Sequence, residues 1–338
     1  MPLTPIFEKK NVIVTGGAGF IGSHLCESLV KKNKVICIDD FSNSTPSNVE
    51  YLLKDPDFEF IKLNINEPFN LETFPELDRF KIKFQGVQEI YHLACPMSAK
   101  DFNKNKIETL AANSVGTKNV LDMAVKYKSK VLFTSSSVVY GPHRGEDMYF
   151  HESDIGQVDQ LSERGCYDEG KRFAETMTVT YSQVHKLDTK IARVFRTYGP
   201  RLKLFDGQMI SDFVVDAIHG NDLVIYGDED FSTSLIYVSD VVDGLIKLMA
   251  ASPETGVVNL GDDQKYRVYD VAKKIIELTG SKSKIRFEKP MTFISPLGLP
   301  DIRKAKDQLG WLPLISLENG LKKMIDYTLA YEKKAGPR

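Results

Sequence analysis

Cysteine is scarce in this chain: 338 residues carry four, Cys26, Cys37, Cys95 and Cys166. None forms a CxxC pair or stands in a cluster with histidine. That excludes the usual zinc spacings and a disulfide framework, and no metal is expected. Reduced, mostly buried thiols suit a reducing compartment, so the expected location is cytoplasmic. Charge of one sign is also lacking, since 44 Lys and Arg against 46 Asp and Glu leave a net charge of −2. Neither a nucleic-acid partner nor an anionic membrane surface is therefore expected. No apolar run approaches the roughly 20 residues of a membrane helix. The opening MPLTPIFEKK has no apolar core of signal-peptide length, and no internal repeat or low-complexity tract is apparent.

What is present is the composition of a globular protein, 42% hydrophobic and 27% charged. Its length suits one large domain or two intimate ones. NVIVTGG reads as a buried strand entering a glycine turn, FIGSHLCESLVKKN as a helix with one apolar face, and KVICIDD as a second buried strand. This β-α-β grammar continues through FEFIKLNI, VQEIYHLA, a helix over TLAANSVGTKNVLDMAVKY, the strand KVLFTSSS, a long helix from CYDEGKR and the strand TKIARVF. Such alternation predicts an α/β fold, a Rossmann-type doubly wound parallel sheet. Beyond about residue 197 the pattern changes to the loop TYGPRLKLFDGQ, then helices with two short strands, DLVIYGD and KIRFEK. We expect an NAD-binding domain over 1–196, taking in about 234–258 as well, and a smaller α/β substrate-binding portion over 197–338.

TGGAGFIG sets Gly16, Gly19 and Gly22 at GxxGxxG spacing. Gly16 serves the tight turn, Gly19 the approach of a pyrophosphate, and Gly22 the packing of helix on strand. The phosphates then meet free N–H groups at the helix N-terminus. A glycine turn alone is common. This one follows a strand, opens a helix and has Asp39 about 20 residues on, where a carboxylate holds both hydroxyls of an adenosine ribose. Asp39 repels a 2′-phosphate, and DDFSNSTPSN contains no Arg or Lys to offset it, so NAD is expected over NADP.

In CYDEGKR, Tyr167 and Lys171 are four apart and share a helix face. A nearby ammonium favours phenolate, so Lys171 is expected to lower the Tyr167 pKa and to hold the nicotinamide ribose, with Tyr167 the base that oxidises an alcohol. On a surface helix the same pair would be ordinary. Here it follows a serine-rich strand end, TSSSVVYG. Ser136 is the expected partner of the substrate hydroxyl, at the strand end where doubly wound folds place their sites. Serines at such an end also cap backbone groups.

These motifs resemble the extended short-chain dehydrogenase/reductase family, the NAD-dependent epimerases and dehydratases, over nearly the whole chain. Within it the chain looks most like the UDP-glucuronate decarboxylase branch, through YHLACPMS, LSERGCYDEGKRFAET, TYGPR, DGQMISDF and PDIRKAKDQLGW. Carried over by position, the resemblance implies cofactor contacts at Gly16, Gly19, Phe20, Ile21, Asp39 and Asn43. It implies others at Asn64, Ile65, Leu93 and Ala94, besides Tyr167 and Lys171. Asn64 stands where an Asp is usual, and its carbonyl can accept from the adenine amino group. The catalytic set falls on Tyr167, Lys171 and Ser136, and substrate contacts on Ser136, Ser137, Arg196 and Arg201. The activity implied is oxidation at C4 of a nucleotide sugar, with a UDP-linked substrate, then loss of CO2. The alternatives are a 4-epimerase or 4-oxidoreductase, and a non-catalytic NAD-binding protein. The family also implies a homodimer through helices near 105–127 and 167–185.

The chain departs from that pattern at four places. Val138 stands where the decarboxylases usually have glutamate, and Thr233 and Arg196 stand where arginine and asparagine are usual. ISPLGLPDI lacks the arginines that commonly precede PDI. Arg196 either supplies the missing charge from a new direction, serves an unusual substrate, or pairs with a nearby acid.

Overall fold

A computed structural model describes residues 8–96, 98, 102–142, 148–289 and 298–335. The central sheet is made by β1 (Asn11–Thr15), β2 (Lys34–Asp39), β3 (Phe58–Lys62), β4 (Glu89–His92), β5 (Lys130–Ser136), β6 (Thr189–Val194) and β7 (Val257–Leu260). Its seven strands run parallel in the order β7-β6-β5-β4-β1-β2-β3. Strand order reverses between β1 and β4, which opens a crevice at the carboxyl ends, the usual ligand position in such sheets.

Both faces are covered, so the strands read as continuous apolar runs. Val12, Val14, Val35 and Cys37 face one core with Leu25 and Leu29 of helix α1 (Phe20–Leu29). Ile13, Ile36, Ile38 and Ile90 face the other, with Val120 and Leu121. The period of two along each strand divides these residues between the layers.

The helix expected over 109–127 is interrupted. It runs as α2 (Lys106–Ala111), a π-helical turn over Ala112–Gly116, and α3 (Thr117–Tyr127). The Thr117 hydroxyl donates to the Ala112 carbonyl at 3.0 Å, and Asn113 Nδ2 donates to the Thr109 carbonyl at 2.9 Å and to Cys95 Sγ at 3.1 Å. Side chains thus take up backbone groups that the widened turn frees, a pattern frequent at functional sites. The long helix α4 (Gly165–His185) packs beside them.

After β6 the chain leaves the sheet. The expected loop at 197 opens with a two-residue strand, Thr197–Tyr198, paired to Ile236–Tyr237. Helices Met209–His219, Val268–Thr279 and Leu317–Ala335 surround a core of Val214, Leu223, Val268, Ile275 and Leu321, with Leu223–Tyr226 paired to Ile285–Glu288. In between, helix Val238–Ala250 returns to the first core, where Val241 and Leu245 meet Leu25, and leads to β7. Trp311 is fully buried there and donates from Nε1 to the Asp240 carbonyl at 2.9 Å. All four cysteines are free.

Candidate active site

A cavity of about 960 Å³ lies across the carboxyl ends of the sheet, between it and the smaller portion. At one end is the glycine turn. Gly16 has φ 69, and a Cβ there would come within 2.8 Å of the Ala94 backbone. A Cβ on Gly22 would meet the Gly16 carbonyl at 2.2 Å, so α1 reaches the strand only with glycine in place. Gly19 caps α1 and, with Phe20 and Ile21, borders the cavity.

Asp39 closes β2. Its Oδ2 accepts from the Ala18 amide at 3.0 Å, and its Oδ1 from the Phe41 amide at 2.9 Å and the Ser44 hydroxyl at 2.8 Å. Phe41 takes φ 62, an uncommon conformation for a bulky residue, and its ring stacks on Phe60 at 4.8 Å. Burial pushes the Asp39 carboxyl up, and the three donors pull against that. Asn43, Asn64, Ile65, Leu93 and Ala94 line the same end. The Asn64 side-chain carbonyl accepts from the Asn66 amide at 2.9 Å, so one of its two acceptor positions is used locally. Asn43 accepts from Lys203 at 3.0 Å.

At the other end, Tyr167 and Lys171 rise from one face of α4 toward the end of β5. Lys171 is buried, donates to the Thr134 carbonyl at 2.9 Å and lies 4.8 Å from the Phe133 ring centre. Burial lowers its pKa. Tyr167 is also buried, against Val138, Cys95 and Cys166. Burial and the Cys95 thiol push its phenol well up, and a hydrogen bond with Ser136 and the charge of Arg164 pull it down. The Lys171 ammonium is turned to the Thr134 carbonyl.

The three serines separate by role. Ser135 donates to Glu175 Oε1 at 2.6 Å, and Glu175 also holds Arg193, in an ion pair of 2.8 Å. Ser136 faces Tyr167 and also accepts from the Val138 amide at 3.4 Å, starting a single helical turn over Ser137–Tyr140. Ser137 and Val138 are buried and line the cavity. Thr233 is buried in a two-residue strand paired antiparallel with Tyr266–Arg267, opposite Tyr266. The arginine-poor stretch before PDI lies largely outside the described residues.

Arg201 lines the cavity, but its guanidinium pairs with Glu27 at 2.6 Å and sits 5.2 Å from the Tyr51 ring centre. Arg196 also lines it and makes no ion pair among the described residues, so none of these supplies the expected acid. Burial and Arg164 bring the Arg196 pKa down to about 10. Arg164, absent from the sequence-derived set, lines the cavity and pairs with Asp168 at 3.1 Å. Its place three residues before Tyr167, one helical turn away, was the available signal.

Among the described residues, two buried side-chain oxygens near Tyr167 have no partner, the Thr134 hydroxyl and Asn113 Oδ1. The glycine cradle, the acid at the end of β2 and these open positions beside Lys171 fit a dinucleotide. Together, fold and site define a nucleotide-dependent enzyme of the extended short-chain dehydrogenase/reductase type.

The model of the NAD dependent epimerase/dehydratase family matches residues 12–261, and the chain belongs to that family. NAD is its cofactor. The chain is 39% identical to UDP-glucuronic acid decarboxylase 1 of Arabidopsis thaliana over 323 residues, 94% of this chain and 69% of that protein. Among solved structures, UDP-glucose 4-epimerase of Thermotoga maritima with UDP-glucose superposes with a TM-score of 0.83 at 25% identity, covering 95% of this chain and 99% of the other. UDP-glucuronic acid 4-epimerase of Bacillus cereus, in complex with UDP-glucuronic acid and NAD, gives 0.82 at 25%, covering 95% and 100%. Among the described residues no helix is long and apolar enough to cross a membrane.

Proposed function

We propose that this protein converts UDP-glucuronate to UDP-xylose and CO2, through oxidation at C4. The observation that carries the reading is Tyr167 and Ser136 at one end of a cavity whose other end is the glycine turn with Asp39. The likeness to UDP-glucuronic acid decarboxylases over most of the chain selects the substrate. In this reading residues 1–196, with 234–258, hold the nucleotide cofactor and 197–338 the sugar nucleotide.

NAD, held by Gly16, Gly19 and Asp39, would supply the hydride acceptor for C4 and the hydride donor for its return. Tyr167, as phenolate, removes the C4 hydroxyl proton, while Ser136 orients that oxygen. The resulting ketone is β to the carboxylate. The C5–C6 bond then breaks, its electrons pass to the C4 oxygen as an enolate, and CO2 leaves. Ser136 and the now protonated Tyr167 hydrogen-bond the enolate oxygen. A proton from water is added at C5, and Tyr167 gives its proton back to the C4 oxygen. Net, one proton replaces CO2. Lys171 keeps a positive charge behind the site and, with the Thr134 hydroxyl, faces the nicotinamide end.

A second reading, 4-epimerisation, is favoured by Val138, since returning the hydride to the opposite face needs no carboxylate there. Incubation with UDP-glucuronate followed by NMR separates the readings. UDP-xylose with CO2 supports the first, and UDP-galacturonate overturns it in favour of the second. No turnover with NAD bound would mean a non-catalytic NAD-binding protein.

We also infer a cytoplasmic homodimer. The four free thiols support the compartment. Exposed Ile107, Leu110 and Val115 beside Phe173 and Val179 of α4 support the dimer, as an apolar face over two adjoining helices that a second copy would cover.

A further inference from the structure

Among the described residues five cationic side chains line the cavity: Arg164, Lys171, Arg196, Arg201 and Lys203. Four have partners, although Arg201 keeps one buried Nη1 unbonded. Arg164 is held by Asp168, Lys171 by the Thr134 carbonyl, Arg201 by Glu27, and Lys203 by Asn43 and Asp206. The Arg196 guanidinium alone has neither an ion pair nor a hydrogen bond among the described residues. Arg196 is half-buried at the cavity wall, and its fork of donors is free to hold a bidentate anion there.

Its position says which anion. Ser136 of β5 lies opposite Val194 of β6, so Arg196, two residues on, emerges at the same end of the sheet as Ser136 and Val138. Arg164 acts electrostatically on both Tyr167 and Arg196, which puts Arg196 at the Tyr167 end, away from the glycine turn. A UDP-uronate has two anionic parts. With C4 at Tyr167, the carboxylate on C5 is adjacent, whereas the diphosphate hangs from C1, across the ring. Relative to the family pattern the site has lost one negative charge at Val138 and gained one positive charge at Arg196. Thr233, where arginine is usual, does not line the cavity.

We propose that Arg196 anchors the sugar carboxylate and so selects a uronate over a neutral hexose. This rests on reading the site as one for a nucleotide sugar oxidised at C4, but not on loss of CO2. The test is equilibrium binding of UDP-glucuronate, UDP-glucose and UDP to the NAD-loaded Tyr167→Phe protein, which cannot turn over, with and without Arg196→Asn. The expected result is a preference for UDP-glucuronate over UDP-glucose of at least about tenfold. Arg196→Asn should erase it and leave UDP binding unchanged, and Arg196→Lys should restore part of it. Equal weakening of all three ligands would assign Arg196 to the diphosphate and overturn the proposal, as would an unchanged preference. Should the Asn variant lose NAD, the Lys variant decides, because a point charge that keeps UDP binding but halves neither affinity nor preference also overturns it. Binding of none of the three ligands overturns the nucleotide-sugar reading and this assignment with it. A clear uronate preference without CO2 release would overturn the decarboxylase reading alone.

Discussion

Tyr167 and Lys171 lie at the spacing the sequence implies. The ammonium donates to the Thr134 carbonyl, and Ser136 and Arg164 favour the phenolate of Tyr167. Burial pushes the phenol up, so the base form is scarce at neutral pH, and turnover is expected to rise with pH from neutral into the alkaline range. A pH profile of kcat/KM that is flat from pH 7 to 9 would remove Tyr167 from that role. Tyr167→Phe should lose turnover by about a thousandfold or more and still bind NAD, as measured by cofactor stoichiometry and product NMR. Val138→Glu places an acid within the Tyr167 cluster and at the sheet end where Arg196 emerges. If the carboxylate anchor is Arg196, this variant should lose the uronate preference, read as the ratio of the two sugar-nucleotide affinities.

At the scale of elements, β5, α4 and β6 are tied by Ser135, Glu175 and Arg193, all at most partly exposed. Removing one member of such a network leaves an uncompensated charge. Glu175→Ala is expected to lower unfolding stability by about 3 kcal/mol, measured by denaturant titration. The α1–β1 junction is as tight. Gly22→Ala drives a Cβ into the Gly16 carbonyl, so NAD should be lost even where the protein stays folded. The sequence pattern located these elements well, because strands buried on both faces and amphipathic helices are written in local periodicity. It missed the π-helical turn at Ala112–Gly116, which depends on contacts from Asn113 and Thr117 to groups whose positions periodicity does not encode.

For the whole molecule, two histidines set an acid limit. His92, between Thr15 and Thr117, has its pKa lowered to about 3 by burial and by the Lys171 charge. His24, against the Pro200 carbonyl, is lowered to about 4 by burial and by Arg201. Both folded values lie below the unfolded value near 6.5, so the unfolded chain binds more protons between them. Their stabilising contribution is full above about pH 6.5 and is lost as pH falls toward 4, on the order of 3 kcal/mol each. Denaturant titrations at pH 7 and pH 4.5 should show the decline, with a smaller slope in His24→Gln. Size-exclusion chromatography with light scattering tests the dimer: Phe173→Glu on the exposed face of α4 should yield a monomer.

By itself the sequence determined what local spacing conveys: the glycine cradle, Asp39 at the end of the next strand, the Tyr167–Lys171 face, and the alternation that makes a parallel sheet. These follow from the fixed geometry of a strand, a turn or a helix, which spacing alone conveys. Only the tertiary structure decided which charges are spent. Arg201 and Arg196 looked equivalent as substrate contacts, yet Arg201 is held by Glu27, 174 positions away, and Arg196 by nothing among the described residues. Charge pairing joins residues that the folded sheet brings together, and no local period records it.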